Sequence, residues 1–542
     1  MSSNGAGRRN AGPLVVLGLD AFEVDWLHRW SGEARLPYLT SLMKKGVFGR
    51  VRSSAFADAP WPSLVSGVSP GEHGFYTHLQ MQRGSYRVER IDARHCRRLP
   101  FWHRLRDSDL RIAVFDVPKT FPLEGVPGIQ VCGWGEHYPL LRKPESIPVE
   151  VARDLETKFG AYPHPDEVTV ATRSYEETCA RIFLENVDRK AAAVEHLLGF
   201  GEWDFLFAVF AEVHYAEHQF LHLTDEGHWA HERDAPVALR EALPATATRL
   251  DAALARIHGR LASDANLVLL SVHGIEPNYS ANAMVPSFLE RLGVLVPVAR
   301  EAPSNLIGSV LSRTRQMRER IPRPVRDFIN SRLPDRIHDR AMASEFEGSV
   351  DWRRTQAFLL PSDDFQAFIS LNLVGREPDG IVQPGSEAEA VFGRLRAEFL
   401  RIVNVDTGRP AVDDVQWIPS LYAGASAYEL PDIVVHWSRD VPIKRAMHPE
   451  YGTFDLTGHV LRKSQHTPHG FFIGLGPAFV ERTVVPEIET TDIAPTLRHL
   501  LGEEPDADME GQVRYDLLSA EFRTPALRDR SRSEQPTEAG HT

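Results

Sequence analysis

The residues best placed to do chemistry in this chain are histidines and carboxylates that close apolar runs. Asp20 ends "PLVVLGLD". His214 and His218 stand four apart in "FAEVHYAEHQFLH". His273 ends "NLVLLSVHG", and His466 sits in "SQHTPHGFFIG". On a helical turn, residues i and i+4 share a face, so both imidazoles of the 214/218 pair can reach one ion. Each signal has an ordinary reading. An Asp after a first strand also serves as a helix cap or turn residue, and His273 alone is a polar strand end. His222 and His228 show that the stretch after 210 is histidine-rich in general. The order and spacing of the set, rather than any member, point to a metal site.

The elements that must position these residues read as alternating strands and helices. Apolar strand-like runs lie at 14–20, 110–117, 203–212, 266–272, 431–437 and 470–476. Leu36, Leu39, Leu42 and Met43 follow a helical spacing that stops at Gly46, and longer helical patterns cover 172–199 and 244–262. Such alternation predicts an α/β fold with a largely parallel central sheet sandwiched by helices, in which ligands gather at the carboxyl ends of strands. The arginine-rich segment 304–343, broken at Pro322 and Pro324, is expected to be an inserted helical cap, either a solvated helical pair or a substrate- or partner-contacting one. It would divide a core of 13–303 and 344–520, with polar, disordered ends at 1–12 and 521–542.

Composition narrows the classes. With 542 residues, 42% hydrophobic and 25% charged, the chain has the make-up of a soluble globular protein. A net charge of −13 argues against a general nucleic-acid binder, yet leaves room for a small phosphorylated substrate at a local cationic site. Cys96, Cys132 and Cys179 have neither metal spacing nor an even count, which fits a reducing cytoplasm. No secretory signal or membrane-spanning run is expected.

Taken together, "GLDAFEVDWLHRW", "RLPYLTSLMKKGVFGRVRS", "APWPSLVSGVSPGEHGFY", "LLSVHGI", "GREPDGIVQPG", "HTPHGFFIGLGPAF" and "TTDIAPTLRHLLG" resemble the alkaline phosphatase superfamily, in its type I phosphodiesterase/nucleotide pyrophosphatase branch. The resemblance runs from about Leu14 to Val513. It implies a pair of divalent ions supporting in-line phosphoryl transfer. By position, Asp20 matches the first metal-ligating aspartate, and His218 the histidine of an Asp-x3-His motif whose aspartate place holds His214. His273 matches the histidine of an Asp-His-Gly motif, and His466 the late histidine.

Three departures stand out. His214 in place of aspartate is mild, because imidazole is itself a ligand; with His218 and His466 it completes a three-histidine site with an open position, which suits zinc, with manganese the alternative. Val272, in place of the carboxylate before His273, coordinates nothing and leaves a second ion with Asp20 and His273 alone. Ala57 stands nine residues before Ser66, where the branch carries its Thr or Ser nucleophile. Asp58 next to it is a candidate catalytic carboxylate, as nucleophile or as second-site ligand, or else the cap of the helix beginning "APWPSL". Ser53 and Ser54 lie a little upstream, and Ser63 is expected to be helix packing. Arg376 in "GREPDGIVQPG" is a candidate phosphate contact, with a plain turn as the alternative. No cysteine opens the C/S-x-P-x-R stretch of a formylglycine sulfatase. The expectation is a metal-dependent hydrolase of phosphodiester or pyrophosphate bonds. The alternative is a member that has lost catalysis and acts as a binding or interaction protein.

Overall fold

The run from Leu14 to Leu19 has no polar face, and it forms a strand (β1) buried along its whole length. Val15, Leu17 and Leu19 pack into one apolar layer, and Leu14 and Val16 into another. A strand covered on both faces belongs inside a helix–sheet–helix sandwich. The structure is a computed structural model that describes residues 12–54, 56, 58–137, 141, 143–165, 171–298, 350–361, 366–457 and 462–524.

β1 lies at the centre of a ten-stranded sheet. The other strands are β2 (Val47–Arg52), β3 (Ile112–Phe115), β4 (Gly128–Cys132) and β5 (Glu145–Ile147). They continue with β6 (Phe205–Phe210), β7 (Asn266–Ser271), β8 (His469–Leu475), β9 (Thr483–Val484) and β10 (Ile488–Glu489). Their order is β9-β2-β8-β7-β1-β6-β3-β4-β5, with β10 beside β2. β1 pairs in parallel with β6 and β7, and β3 in parallel with β6 and β4. β8 and β5 run against their neighbours. The sheet is thus largely parallel and flanked by helices, as the alternating pattern implies.

The expected helix after Leu36 is α1 (Pro37–Lys45), stopping at Gly46. α2 (Pro60–Ser66) packs Trp61 and Leu64 against one face of the sheet. On the other face lie α3 (Arg173–Leu198), α4 (Glu212–Thr224) and α5 (Ala242–His258), through Phe183, Val187, Phe220, Leu250 and Leu254. Gly18 has a specific role. A Cβ there would stand 2.8 Å from the Trp61 ring and 2.9 Å from Val209, so glycine is what lets the indole lie against β1.

The run at 431–437 is a strand (Ile433–Trp437), but not of this sheet. It sits in a four-stranded sheet with Ala357–Leu359, Ala367–Leu371 and Val412–Trp417, every pairing antiparallel. That sheet has its own apolar cluster around Phe288, Phe368, Phe399 and Val434. A short apolar run looks the same in either kind of sheet, so its sequence does not tell them apart. The expected helical insertion at 304–343 lies outside the described residues. Of the expected tail, residues 525–542 lie outside the described residues; Phe522 packs against the core, and its carbonyl lies 2.7 Å from His499 Nε2. Among the described residues no helix is long and apolar enough to cross a membrane.

Candidate functional site

β1, β6 and β7 are parallel neighbours, so their carboxyl ends share one edge of the sheet, and four of the five residues expected to bind metal follow those ends. Asp20 leaves β1, with Ala21 next to it at φ 53°. β6 runs into α4, which carries His214 and His218 on one face. His273 follows β7. The fifth, His466, comes from a short strand, Ser464–Thr467, that pairs antiparallel with Gly274–Pro277 and sets His466 opposite Ile275. That ribbon ties the late histidine to the chain just after His273, across a long stretch of sequence.

Three imidazole nitrogens converge. His214 Nε2 lies 3.0 Å from His218 Nε2 and 2.9 Å from His466 Nε2, and the last two are 3.3 Å apart. Each neutral Nε2 carries either a proton or a lone pair, so three of them in mutual contact cannot all form donor–acceptor pairs. Lone pairs converging on a cation satisfy all three at once. Ligand nitrogens about 2.0 Å from a tetrahedral zinc stand roughly 3.3 Å apart, close to this triangle. The second nitrogens set the tautomers. His214 Nδ1 is 2.8 Å from Asp20 Oδ2 and His218 Nδ1 is 2.7 Å from Ser464 Oγ. Nδ1–H donated to the carboxylate leaves the His214 Nε2 lone pair pointing into the triangle. Burial pushes His218 and His466 well below the ordinary imidazole range, so both are neutral, the form that binds metal.

Asp20 faces this triangle from behind. Its Oδ2 meets His214, and its Oδ1 accepts from Trp61 Nε1 at 2.6 Å. Burial alone would raise its pKa, but the His214 imidazole and its hydrogen bond overrule that and hold the carboxyl below the usual range. The carboxylate is engaged in orienting His214. His273 Nε2 stands 3.9 Å from Asp20 Oδ1, too far for a hydrogen bond. His273 Nδ1 is buried with no hydrogen-bond partner among the described residues. Burial lowers this histidine to about 4. Donor atoms of His214, His273 and His466 all lie within 4.8 Å of one another. Val272 continues the alternation of Val268 and Leu270 into the apolar layer that also holds Trp61, and it is fully buried. Its side chain is core.

Asp58 is drawn into a different set of contacts. It does not cap α2, whose cap position is Ala59 and has no side-chain capping bond. The Lys119 ammonium donates to its carboxylate and, at 2.8 Å, to its carbonyl oxygen, while His78 Nδ1 lies 3.6 Å from its other oxygen. Burial opposes ionisation of Asp58, but Lys119 and His78 hold the carboxyl below its usual range. Arg376 lies beside the four-stranded sheet, against Ser370 and Leu371 of the Ala367–Leu371 strand. Its guanidinium donates to Glu377, Ser370, the Leu371 carbonyl and both oxygens of Asp432, at 2.6–3.1 Å, so all three nitrogens are engaged by protein. That bonding gives Arg376 a structural task in place of the expected phosphate contact. Ser63 Oγ lies 2.9 Å from His73 Nε2, which resembles a nucleophile–base pair. His73 Nδ1, however, accepts the Phe75 N–H at 3.0 Å, so the proton of the neutral ring is on Nε2 and is donated to Ser63. His73 therefore has no lone pair with which to activate that hydroxyl, and Ser63 is packing. Ala57 lies outside the described residues.

The site includes residues that sequence reasoning missed. His137, in the loop after β4, stacks on His214 with ring centroids 3.6 Å apart and planes at 27°. Donor atoms of His137, His214 and His218 lie within 4.8 Å of one another, but rings this nearly parallel and close do not both have one ion in their planes, which favours His137 as support for the His214 ring. Lys119 follows β3 at φ 61°, and Asp116 in the same turn has φ 53°. Such conformations cost energy for non-glycine residues and need support. Lys190 of α3 supplies it: its Nζ lies 2.7 Å from Asp116 Oδ2 and 2.9 Å from the Gly135 carbonyl. Asp116 in turn accepts the Trp134 and Gly135 amides at 2.7 and 2.8 Å. This fully buried ion pair pins the turn carrying Lys119 to the loop carrying His137. The one sequence signal for either residue is that both follow strands of a parallel sheet.

The model of the family "Type I phosphodiesterase / nucleotide pyrophosphatase" matches residues 14–355, a span that includes Asp20, Asp58, His214, His218 and His273 but not His466. Among solved structures, phosphonoacetate hydrolase from Sinorhizobium meliloti 1021, in complex with phosphonoformate, is similar at a TM-score of 0.48 and 14% identity. That similarity covers 89% of this chain and 94% of the hydrolase. No curated protein matches the chain by sequence.

Proposed function

The chain belongs to the type I phosphodiesterase/nucleotide pyrophosphatase family, whose members are hydrolytic enzymes, and from that premise we propose a hydrolase of phosphodiester or pyrophosphate bonds that works with one divalent ion, zinc by preference. The observation that carries the proposal is the triangle of His214, His218 and His466 Nε2 atoms, 2.9–3.3 Å apart. These three residues would hold the ion and leave a fourth position open. When bound, such an ion polarises phosphoryl oxygens and lowers the pKa of water to about 7.

The chain's own residues do the rest. Asp20 fixes the tautomer and orientation of His214, and Trp61 fixes Asp20. His137 backs the His214 ring. A second ion has weak support, because Asp20 is engaged and Val272 is core. Water is the preferred nucleophile. Among the described residues Ser53 Oγ is bonded to the Val272 carbonyl and to Thr490 Oγ1, Ser63 lacks a base, and the Asp58 carboxylate is held by Lys119.

The test combines metal content with turnover of an activated diester, bis(p-nitrophenyl) phosphate. The purified chain should hold close to one zinc, and His466→Ala should hold far less. Metal content unchanged by that substitution would refute the three-histidine site. No ion and no turnover under added zinc or manganese would leave a binding protein as the better reading.

A further inference from the structure

His273 is the histidine that the one-ion site leaves over. It is 4% exposed, its Nδ1 is buried without a hydrogen-bond partner among the described residues, and its Nε2 stops 3.9 Å short of Asp20 Oδ1. The second ion that the family pattern would give it lacks ligands, because both oxygens of Asp20 are engaged and Val272 is core. A neutral imidazole has one N–H and one lone pair, and a buried polar group without a partner marks an ion or ligand that belongs beside it.

Ring spacing points to the ion of the triangle. A ring bound to zinc through a nitrogen about 2.0 Å away has its centroid about 3.1 Å from the metal, so two rings of a tetrahedral site have centroids about 5 Å apart. The pairs His214–His218, His214–His466 and His218–His466 meet this at 4.9, 5.1 and 5.1 Å. His273 stands 4.9 Å from His466 at 85° and 5.7 Å from His214 at 82°. Donor atoms of these three rings lie within 4.8 Å of one another. His137, stacked on His214 at 3.6 Å and 27°, does not fit that spacing. Nitrogens of a tetrahedral zinc site are about 3.3 Å apart, so His273 needs a shift on the order of 1 Å to close on the ion.

We propose that His273 is a fourth protein ligand of the single ion held by His214, His218 and His466, filling in the substrate-free protein the position that the triangle leaves open. The inference rests on the one-ion reading above. The looser spacing, 5.7 Å from His214, makes His273 the ligand that gives way to a phosphoryl oxygen of the substrate. It leaves as the neutral ring that bound, so the exchange needs no proton or electron.

X-ray absorption at the zinc edge counts the ligands in the full chain loaded with zinc. Four imidazoles are expected, and three once inorganic phosphate saturates the protein. Three imidazoles without phosphate, or four unchanged by bound phosphate, overturns the inference. His273→Ala should weaken zinc binding, measured against a competing chelator, by at least the roughly 10- to 100-fold that loss of an outer partner costs, with the stoichiometry still one. An unchanged affinity overturns the inference, and so does a wild type with two ions of which H273A loses one. Should H273A fail to fold, the ligand count on the wild type decides. One zinc on three imidazoles defeats this inference alone, whereas a wild type that binds no zinc defeats the one-ion reading as well.

Discussion

Asp20→Asn separates an orienting carboxylate from a ligating one. Both oxygens of Asp20 accept: Oδ2 from His214 Nδ1–H at 2.8 Å and Oδ1 from Trp61 Nε1–H at 2.6 Å. The asparagine amide has one oxygen and one NH2 group, so it can satisfy only one of these donors. If its oxygen serves Trp61, the NH2 faces His214. The ring must then leave a donor unpaired, costing about 1–3 kcal/mol, or change tautomer and put a proton where its lone pair met the triangle. Loss of such an outer partner lowers metal affinity by about 10- to 100-fold, or roughly 1.4–2.7 kcal/mol. Zinc binding measured against a competing chelator should therefore weaken by one to two decades in D20N. The stoichiometry by elemental analysis at saturating zinc should stay at one. If Asp20 were instead a direct ligand of a second ion, the wild type would bind two ions and D20N one. That result, or an unchanged zinc affinity, would refute the argument.

Two further outcomes follow from burial. Val272→Asp restores the carboxylate of the family pattern but places it in the apolar layer with Trp61 and Leu64; an uncompensated buried charge costs about 3–5 kcal/mol, so the variant should melt earlier and gain no second ion. A second bound zinc at undiminished stability would contradict this placement. Stability of the chelated protein should also fall between pH 7 and 5. Burial lowers His73 and His222 to about 3 and His228 to about 4, so the unfolded chain takes up protons below pH 6.5 that the folded chain does not. At about 1.36 kcal/mol per unit, each loses roughly 2 kcal/mol by pH 5. Glu23 acts in the opposite sense: burial raises it to about 7, so its folded form gains roughly 2 kcal/mol over the same range. These four groups together contribute an expected loss of about 3–4 kcal/mol, read by urea denaturation, and a flat profile would count against these neutral buried histidines.

What the sequence revealed follows the range of its signals. Strands buried on both faces and the i, i+4 pair at 214 and 218 are local patterns, and they appear at the expected places. The division into two sheets is not local: Ile433–Trp437 is as apolar as β1, and its antiparallel partners decide its sheet. The role of Asp20 depends on Trp61, which reaches it only because Gly18 has no side chain. Nothing periodic in the sequence links those three residues. His137 and Lys119 escaped notice for a similar reason, since each lies in an irregular loop whose position depends on a buried Lys190–Asp116 pair. Asp58 was visible as a carboxylate in a suggestive place. Its partner was not, and the partner changes what it does.

The substitutions that look like damage become coherent as a charge balance. In the family pattern three aspartates face two divalent ions, a formal charge of +1 before substrate arrives. Here the imidazole of His214 stands where one aspartate stood, and Val272 removes another, so Asp20 is the carboxylate that remains against the histidine triangle. One divalent ion then restores the same +1, whereas two would leave +3 in a buried site with Asp20 as the shared carboxylate, a costly arrangement at low dielectric. Lys119 and Asp58, paired with each other, add no net charge to this balance. Drift alone would remove ligands without regard to this balance. Loss of one ion's carboxylates and three converging imidazoles for the other fit a centre reorganised around a single ion, which makes the zinc stoichiometry the quantity on which the whole reading depends.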